Sequence, residues 1–213
     1  MDARRRALWL AAAGLLVFVV LLVLVATGAA DGVDVAVASW ARRHRAGGPL
    51  LAAQVITDVL SPGVDAMVLL IGAALISRRD QSWRPLRVAV VVLLLLAVTV
   101  LALKHAVDRP LPRATDTRHG LAFPSGHTAA TLVGLGTLAS FVAARRPDLA
   151  SSLRAAVLSL TLLVAAALVY ARYHWLTDTL GSMALGVAAI GLLTWSGEAR
   201  RCRRPRVPAT TRR

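Results

Sequence analysis

The sequence has a single cysteine, Cys202, a single lysine, Lys104, and only 11 acidic residues among 213. One cysteine excludes an intrachain disulfide and a cysteine metal cluster. The acidic residues are too few and too scattered to form a carboxylate cage for a divalent cation, so we expect neither a metal nor another cofactor. The chain also shows no low-complexity segment and no internal repeat of 20–50 residues.

What the chain has in excess is hydrophobic residues, which make up 57% of it and give a mean hydropathy of +0.64. A helix needs about 20 predominantly apolar residues to cross a bilayer. Five segments meet this condition, at residues 8–27, 85–103, 128–144, 153–171 and 176–195. Residues 63–77 are a shorter sixth candidate that carries Asp65, and residues 50–60 before it are typical of a helix at the membrane interface.

These segments predict an all-α integral membrane protein, with one domain of six transmembrane helices over residues 1–199. An uncleaved anchor is expected at the start, because the first apolar run is longer than that of a signal peptide. Residues 200–213 form an arginine-rich tail that we expect to be disordered and close to anionic headgroups.

The net charge of +14 comes from basic residues that are unevenly distributed between the predicted loops. With six spans and the N-terminus inside, 17 of the 25 basic residues lie on the cytoplasmic side. This excess follows the positive-inside rule and predicts that both termini are cytoplasmic. Nucleic acid is not expected as a partner, because no aromatic or motif context accompanies the charge.

Three short polar stretches interrupt the apolar sequence near the ends of the predicted spans: "LKHAVDRPLPR" from Leu103, "FPSGHTAA" from Phe123 and "YARYHWLTDTL" from Tyr170. The spans are numbered in chain order, with residues 63–77 as the second. The first two stretches then join spans three and four, and the third joins spans five and six. One inward and one outward crossing separate these loops, so all three lie on one face of the membrane. The distribution of arginines predicts that this face is extracytoplasmic.

Taken singly, each stretch has an ordinary structural interpretation as a helix cap or an interfacial anchor. Together they supply what a tetrahedral oxyanion requires: cationic donors, a helix N-terminus and two histidines. Asp178 lies one helical turn after His174, where it could hold the imidazole in one tautomer. The candidate residues are Lys104, Arg109, Ser125, Gly126, His127, Arg172, His174 and Asp178.

The motifs "KHAVDRP", "PSGH" and "HWLTD" resemble the three signatures of the type 2 phosphatidic acid phosphatase (PAP2) superfamily, which includes vanadium haloperoxidases. The resemblance implies a six-helix fold with this arrangement of motifs and a metal-independent phosphatase. It also implies roles by position. His174 would attack phosphorus and form a phosphohistidine, Asp178 would orient it, and His127 would protonate the leaving oxygen. The phosphate oxygens would be held by Lys104, Arg109, Ser125 and Gly126.

Two departures from the family pattern affect the candidate site. Only four residues separate Lys104 from Arg109, where the family has six. The serine and arginine expected before the third motif are replaced by Ala167 and Leu168. If the helix continues through residue 172, Arg172 lies one turn beyond Leu168 on nearly the same face, and we expect it to replace the missing arginine.

The favoured function is hydrolysis of a lipid phosphate or diphosphate at the outer face, with a polyprenyl diphosphate as the preferred substrate and membrane lipids as the surroundings. Phosphatidylglycerol phosphate, phosphatidic acid and a polyprenyl-phosphosugar phosphate remain open. The alternative is a non-enzymatic transporter or anion-binding protein with the same cationic cluster. A structural helix-bundle subunit would explain only the small-residue pattern "SMALG". Arg118 and His119 could lie at the rim of the site, and the sequence does not indicate an oligomeric state.

Overall fold

The computed structural model describes residues 2–113 and 121–202, except for the side chain of Arg200. Of the predicted tail, residues 200–202 are described: a short helix extends to Arg201, and Cys202 is buried. The rest of the tail, and Arg118 and His119, lie outside the described residues. The described chain is helical and contains no strand. Its α-helices are α1 (Ala3–Ala26), α2 (Asp31–His44), α3 (Gly47–Val59), α4 (Pro62–Asp80), α5 (Arg84–Val107), α6 (Gly126–Ala130), α7 (Gly136–Ala143), α8 (Ala150–Tyr170), α9 (Leu176–Ser196) and α10 (Glu198–Arg201).

Five helical segments of the described chain are long and apolar enough to cross a membrane: α1, α5, Gly126–Ala143, Pro147–Tyr170 and α9. The third of these is α6 and α7 joined by a π-helical turn, Thr131–Leu135. Helices α3 and α4 meet the same criterion only as a pair, bent by 41° at the break between them. The predicted all-α membrane fold is confirmed, with six spans if the bent pair counts as one.

Helix α4 is longer than the short second span predicted from residues 63–77. It begins one residue earlier, at Pro62, because Ser61 caps it by accepting a hydrogen bond from the Val64 amide at 3.5 Å. It ends three residues later, with Arg78 and Arg79 in its last turn, where basic side chains suit the helix dipole.

Helix α2 was not predicted, because its sequence is neither apolar enough for a span nor bounded by a side-chain cap. Its charges follow the helix dipole, with two acidic residues in the first turn and basic residues in the last. The Tyr170 hydroxyl at the end of α8 donates to the His44 carbonyl at 2.9 Å and accepts from the Ala46 amide at 3.3 Å. These bonds fasten the end of α2 to the end of α8.

Helices α1 and α9 pack against each other in antiparallel orientation, with glycines at their closest approach. A Cβ added to Gly191 would lie 2.8 Å from the Ala11 nitrogen, and one added to Gly14 would lie 2.8 Å from the Ala184 carbonyl oxygen. Small residues allow this approach, which supplies van der Waals contact between helices in a lipid environment. The start of α1 and the end of α9 therefore lie at the same end of the bundle, where Arg4 Nε donates to the Trp195 carbonyl at 3.2 Å.

We expect Gly191→Val to destabilise the bundle, because the new side chain meets the backbone of α1, which cannot move without separating the two helices. Overpacking of this kind costs roughly 1–3 kcal/mol. Thermal unfolding of the purified protein in detergent measures the effect. Gly63→Val is the matched control, since a Cβ at Gly63 has no neighbour within 4 Å. Equal melting temperatures for the two variants would show that the close packing is not needed.

Ion pairs at this same end connect the helix ends that lie away from the polar stretches. Arg84 pairs with Glu198 of α10 at 3.0 Å. Arg145 pairs with Asp80 and donates to the Cys202 carbonyl at 2.9 Å. The opposite end of the bundle is consequently formed by α2, the end of α5, the start of α6, the end of α8 and the start of α9.

Candidate active site

The three polar stretches meet at this second end of the bundle. The Ser125 amide donates to the Asp178 carbonyl at 3.3 Å, which joins the second stretch to the third. The Ala122 amide donates to the Arg109 carbonyl at 3.0 Å, which joins the chain before the second stretch to the first. The arrangement on one face that the topology predicted is thus present in the described chain.

His174 and Asp178 form the centre of this region. His174 is 9% exposed and Asp178 is fully buried. Because a carboxylate only accepts hydrogen bonds, Nδ1 of His174 carries the proton and donates to Asp178 Oδ2 at 3.3 Å. The same oxygen accepts from the Trp175 amide at 2.9 Å, which fixes the carboxylate at the start of α9. Nε2 of His174 is therefore the ring nitrogen with a lone pair available for chemistry.

Arg109 is buried among carboxylates. One of its terminal nitrogens donates to Asp178 Oδ1 at 2.8 Å and to the Thr177 hydroxyl at 2.7 Å. The other donates to Asp34 Oδ2 at 2.6 Å and to Asp31 Oδ1 at 3.4 Å. Burial opposes the charge on Arg109, but Asp178 and Asp34 outweigh it and raise the pKa of the guanidinium above its usual value.

Sequence reasoning missed three residues of this network, Asp31, Thr177 and Asp34, and Asp34 is the buried carboxylate that contacts both Arg109 and Thr177. It is 1% exposed and accepts from the Thr177 amide at 3.0 Å as well as from Arg109. The signal in the sequence was the scarcity of acidic residues, two of which occur in "DGVD", within a loop on the predicted outer side. Asp34 holds Arg109 against Asp178, and so positions the carboxylate that orients His174.

Lys104 and His127 complete the group from the other two polar stretches. Lys104 Nζ donates to the Leu121 carbonyl. In its protonated form His127 lies close enough to His174, Lys104 and Asp58 to interact with their charged forms, and Lys104 lies close enough to Asp178 to do the same. The structure thus brings both histidines and the lysine into one electrostatic environment. Asp58 of α3, which was not among the residues predicted from the sequence, is an exposed carboxylate in this environment.

Ser125 begins the helix that carries His127. It is fully buried, and its hydroxyl oxygen caps α6 by accepting from the Thr128 amide at 3.4 Å. Gly126 is the first helical residue, so its amide is one of the groups that a helix N-terminus leaves without an intrahelical acceptor. Such amides and the helix dipole favour an oxyanion at this position.

Arg172 is not on a helix, so the condition on which it was expected to replace the missing arginine, a helix that continues through residue 172, is not met. The helix ends at Tyr170, and Arg172 takes the left-handed conformation with φ of 57°. The amides of Arg172 and Tyr173 donate to the carbonyls of Val169 at 3.0 Å and Leu168 at 2.8 Å. This pair of bonds is the Schellman ending of a helix.

The side chain of Arg172 is consequently directed by the turn and not carried along a helix face. Its guanidinium donates to the Pro112 carbonyl at 2.7 Å. Leu168, which occupies the family position for arginine, is 1% exposed, so this position holds a buried apolar side chain. The structure places Arg172 beside the first polar stretch, two residues before His174.

The segment after α5 lies along the segment after α8. The Trp175 indole donates to the carbonyl of Pro110 at 2.7 Å. Pro110 is the first of the two prolines that follow Arg109. The guanidinium of Arg109 also lies 5.3 Å from the centre of the Trp175 ring.

Among the described residues, no group of three or more His, Cys, Asp or Glu side chains could hold a metal ion.

The fold and this end of the bundle define a helical membrane protein with a histidine–carboxylate pair, a second histidine and cationic side chains close together. The sequence pattern of the PAP2 superfamily matches residues 85–202, more than half of the chain, and the chain belongs to that superfamily. This agrees with the resemblance of the three motifs.

A solved structure with a similar fold is described as the crystal structure of the first transmembrane PAP2 type phosphatidylglycerolphosphate phosphatase from Bacillus subtilis. The similarity has a TM-score of 0.77 at 22% sequence identity, and covers 86% of this chain and 94% of the other. At this identity the similarity establishes the fold. No significant match was found among the curated proteins.

Proposed function

We propose that this protein is a membrane lipid phosphate phosphatase that acts at the extracytoplasmic face through a phosphohistidine. The observation that carries the proposal is the His174–Asp178 pair, with Nδ1 bound to the carboxylate and Nε2 left available, in the same environment as His127 and Lys104. Membership of the PAP2 superfamily and the phosphatase named for the similar structure support it.

The proposed reaction has two steps. In the first, Nε2 of His174 attacks phosphorus, the bond between phosphorus and the leaving oxygen breaks, and His127 gives its proton to that oxygen. In the second, water attacks the phosphohistidine, His127 takes the proton of the water, and phosphate leaves as His174 is released. Asp178 balances the positive charge that develops on the imidazole in the first step.

The phosphate oxygens are proposed to bind Lys104, Arg109, Ser125 and the Gly126 amide, as the resemblance implies. For Arg109 this requires an exchange, because its terminal nitrogens already contact carboxylates. The bond to Asp31 is the easiest to exchange, since it is the longest at 3.4 Å and the Asp31 side chain is 64% exposed. Arg109 can then contact the phosphate while Asp34 and Asp178 continue to hold it.

Among lipid phosphates we favour a polyprenyl diphosphate. An outward-facing site suits a lipid carrier that is recycled after cell-wall synthesis. Phosphatidylglycerol phosphate, the substrate class in the name of the similar structure, is the principal competitor. Phosphatidic acid and a polyprenyl-phosphosugar phosphate are the other candidates.

The function is tested by phosphate release from these lipids by the purified protein, with and without EDTA. We expect hydrolysis to continue in EDTA, because the cationic side chains supply the charge that a metal would otherwise provide. Orthovanadate should inhibit, since it mimics five-coordinate phosphorus. A complete loss of activity in EDTA that magnesium restores would contradict the mechanism. Binding of a lipid phosphate without hydrolysis would favour the non-enzymatic alternative.

The outward orientation is tested by labelling cysteines in a Cys202→Ser background with a membrane-impermeant thiol reagent. Leu111 follows Arg109 by two residues at the site end and is 39% exposed, whereas Leu149 lies at the opposite end and is 37% exposed. We expect Leu111→Cys to react in intact cells and Leu149→Cys to react only after lysis. The reverse pattern would place the site on the cytoplasmic face.

A further inference from the structure

Four arginines lie in or around the turn that precedes His174. Arg172 is in the turn itself, Arg42 and Arg45 are at the end of α2, and Arg113 follows α5. The charges acting on Arg172 come from the other three guanidinium groups, and no carboxylate of the described chain is among them. Burial, and then Arg45, Arg42 and Arg113, lower the pKa of Arg172 below its usual value. We call these four residues the arginine cluster.

Two members of the arginine cluster are partly buried and incompletely bonded. The Nε atoms of Arg113 and Arg172 are buried and have no hydrogen-bond partner among the described residues. Arg113 lies 4.5 Å from the centre of the Tyr173 ring, and Tyr173 directly precedes His174. Arg172 donates to the Pro112 carbonyl through a terminal guanidinium nitrogen, and its Nε takes no part in this bond. Buried donors without acceptors cost free energy, which an oxyanion bound between them would recover.

The other two members are held beside this turn by backbone contacts. The Tyr170 hydroxyl bonds to both His44 and Ala46, the residues on either side of Arg45. The acidic residues of α2, Asp31 and Asp34, are bonded to Arg109 and do not neutralise the cluster. Holding these cations together, with no carboxylate of the described chain among the charges that act on Arg172, is unfavourable until an anion is present.

We propose that the arginine cluster binds a second phosphate group next to the one attacked by His174, and so selects lipids that carry two phosphates. The planar guanidinium fork is the protein group best suited to a phosphate oxygen pair. Polyprenyl diphosphate and phosphatidylglycerol phosphate both carry two phosphates, whereas phosphatidic acid carries one. This inference rests on the proposed function and narrows its substrate class.

The test compares an isoprenyl diphosphate with the monophosphate of the same chain in non-ionic detergent. The readout is the ratio of kcat/KM for the two lipids. The wild type should favour the diphosphate, and the Arg42→Gln/Arg45→Gln variant should lower the ratio by about 10-fold or more, as expected for loss of charged hydrogen bonds. Arg43→Gln is the matched control, because Arg43 is an exposed neighbour on α2 that does not act on Arg172. The Arg42→Lys/Arg45→Lys variant, which keeps the two positive charges, should have a preference for the diphosphate between those of the wild type and the glutamine variant.

The outcomes separate this inference from the proposed function. If the wild type hydrolyses neither lipid, the proposed function fails. If it hydrolyses both and the double variant keeps the wild-type ratio, only the role of the arginine cluster is overturned. A third arm adds phosphatidylglycerol to the micelles. A difference between wild type and variant that appears only with this lipid would assign the cluster to anionic headgroups and overturn substrate selection.

Discussion

The His174→Ala variant is expected to have no measurable phosphatase activity, a loss of roughly 10⁴-fold or more. The substitution removes the nitrogen that attacks phosphorus, and the described structure has no second histidine bonded to Asp178 that could replace it. Hydrolysis by direct attack of water would have to proceed without the covalent intermediate. Phosphate release from a lipid phosphate, measured with purified protein at matched concentration, gives the result.

His105→Ala is the control for this experiment, because His105 is an exposed histidine in the last turn of α5 at the same end of the bundle. It should retain wild-type turnover. Thermal unfolding of both variants separates a loss of chemistry from a loss of folded protein. Residual activity of His174→Ala within 10-fold of the wild type would exclude His174 as the nucleophile.

The second large effect is expected for His127→Ala, with a rate loss of roughly 10²–10⁴-fold on a phosphomonoester lipid. This variant keeps the nucleophile but removes the group that protonates the leaving oxygen. The loss should be smaller on a diphosphate, because a departing phosphate needs less protonation than a departing alkoxide. The measurement is kcat/KM for an isoprenyl monophosphate and for the diphosphate of the same chain. This quantity reports the step in which the leaving group departs and excludes the second step, in which His127 takes the proton of water with either lipid.

The dependence on the leaving group distinguishes an acid from a structural residue. A purely structural defect would reduce the rates on both lipids by the same factor. Equal losses would therefore remove His127 from the role of general acid, even if the total loss fell in the expected range. The comparison is made within one variant, so differences in expression or stability between proteins do not enter it.

The parts of the site that were predictable from sequence are those fixed by local pattern and topology. Apolar runs located five spans, and their alternation placed the three polar stretches at one end. The four-residue spacing of His174 and Asp178 anticipated the hydrogen bond between them, although His174 precedes the N-cap of α9 and only Asp178 lies in the helix. These inferences needed only the local spacing of residues and the number of crossings between loops.

The remaining features depend on contacts between distant segments. Asp34 lies on a helix with no apolar signal, and its bond to Arg109 follows from how α2 packs and not from any local pattern. The position of Arg172 depended on where α8 ends. No glycine follows Tyr170 to mark that end, so Arg172 itself adopts the left-handed conformation that glycine usually supplies.

The passage of the phosphoryl group through His174 is tested most directly by trapping it there. The wild-type protein and the His174→Ala variant would be mixed with a radioactively phosphate-labelled lipid and denatured rapidly in alkali, in which phosphohistidine survives, before peptide mapping. We expect label in the wild type only, on the peptide that contains His174. Equal labelling of the His174→Ala variant, or turnover by the wild type without label on that peptide at any time, would contradict the proposed mechanism.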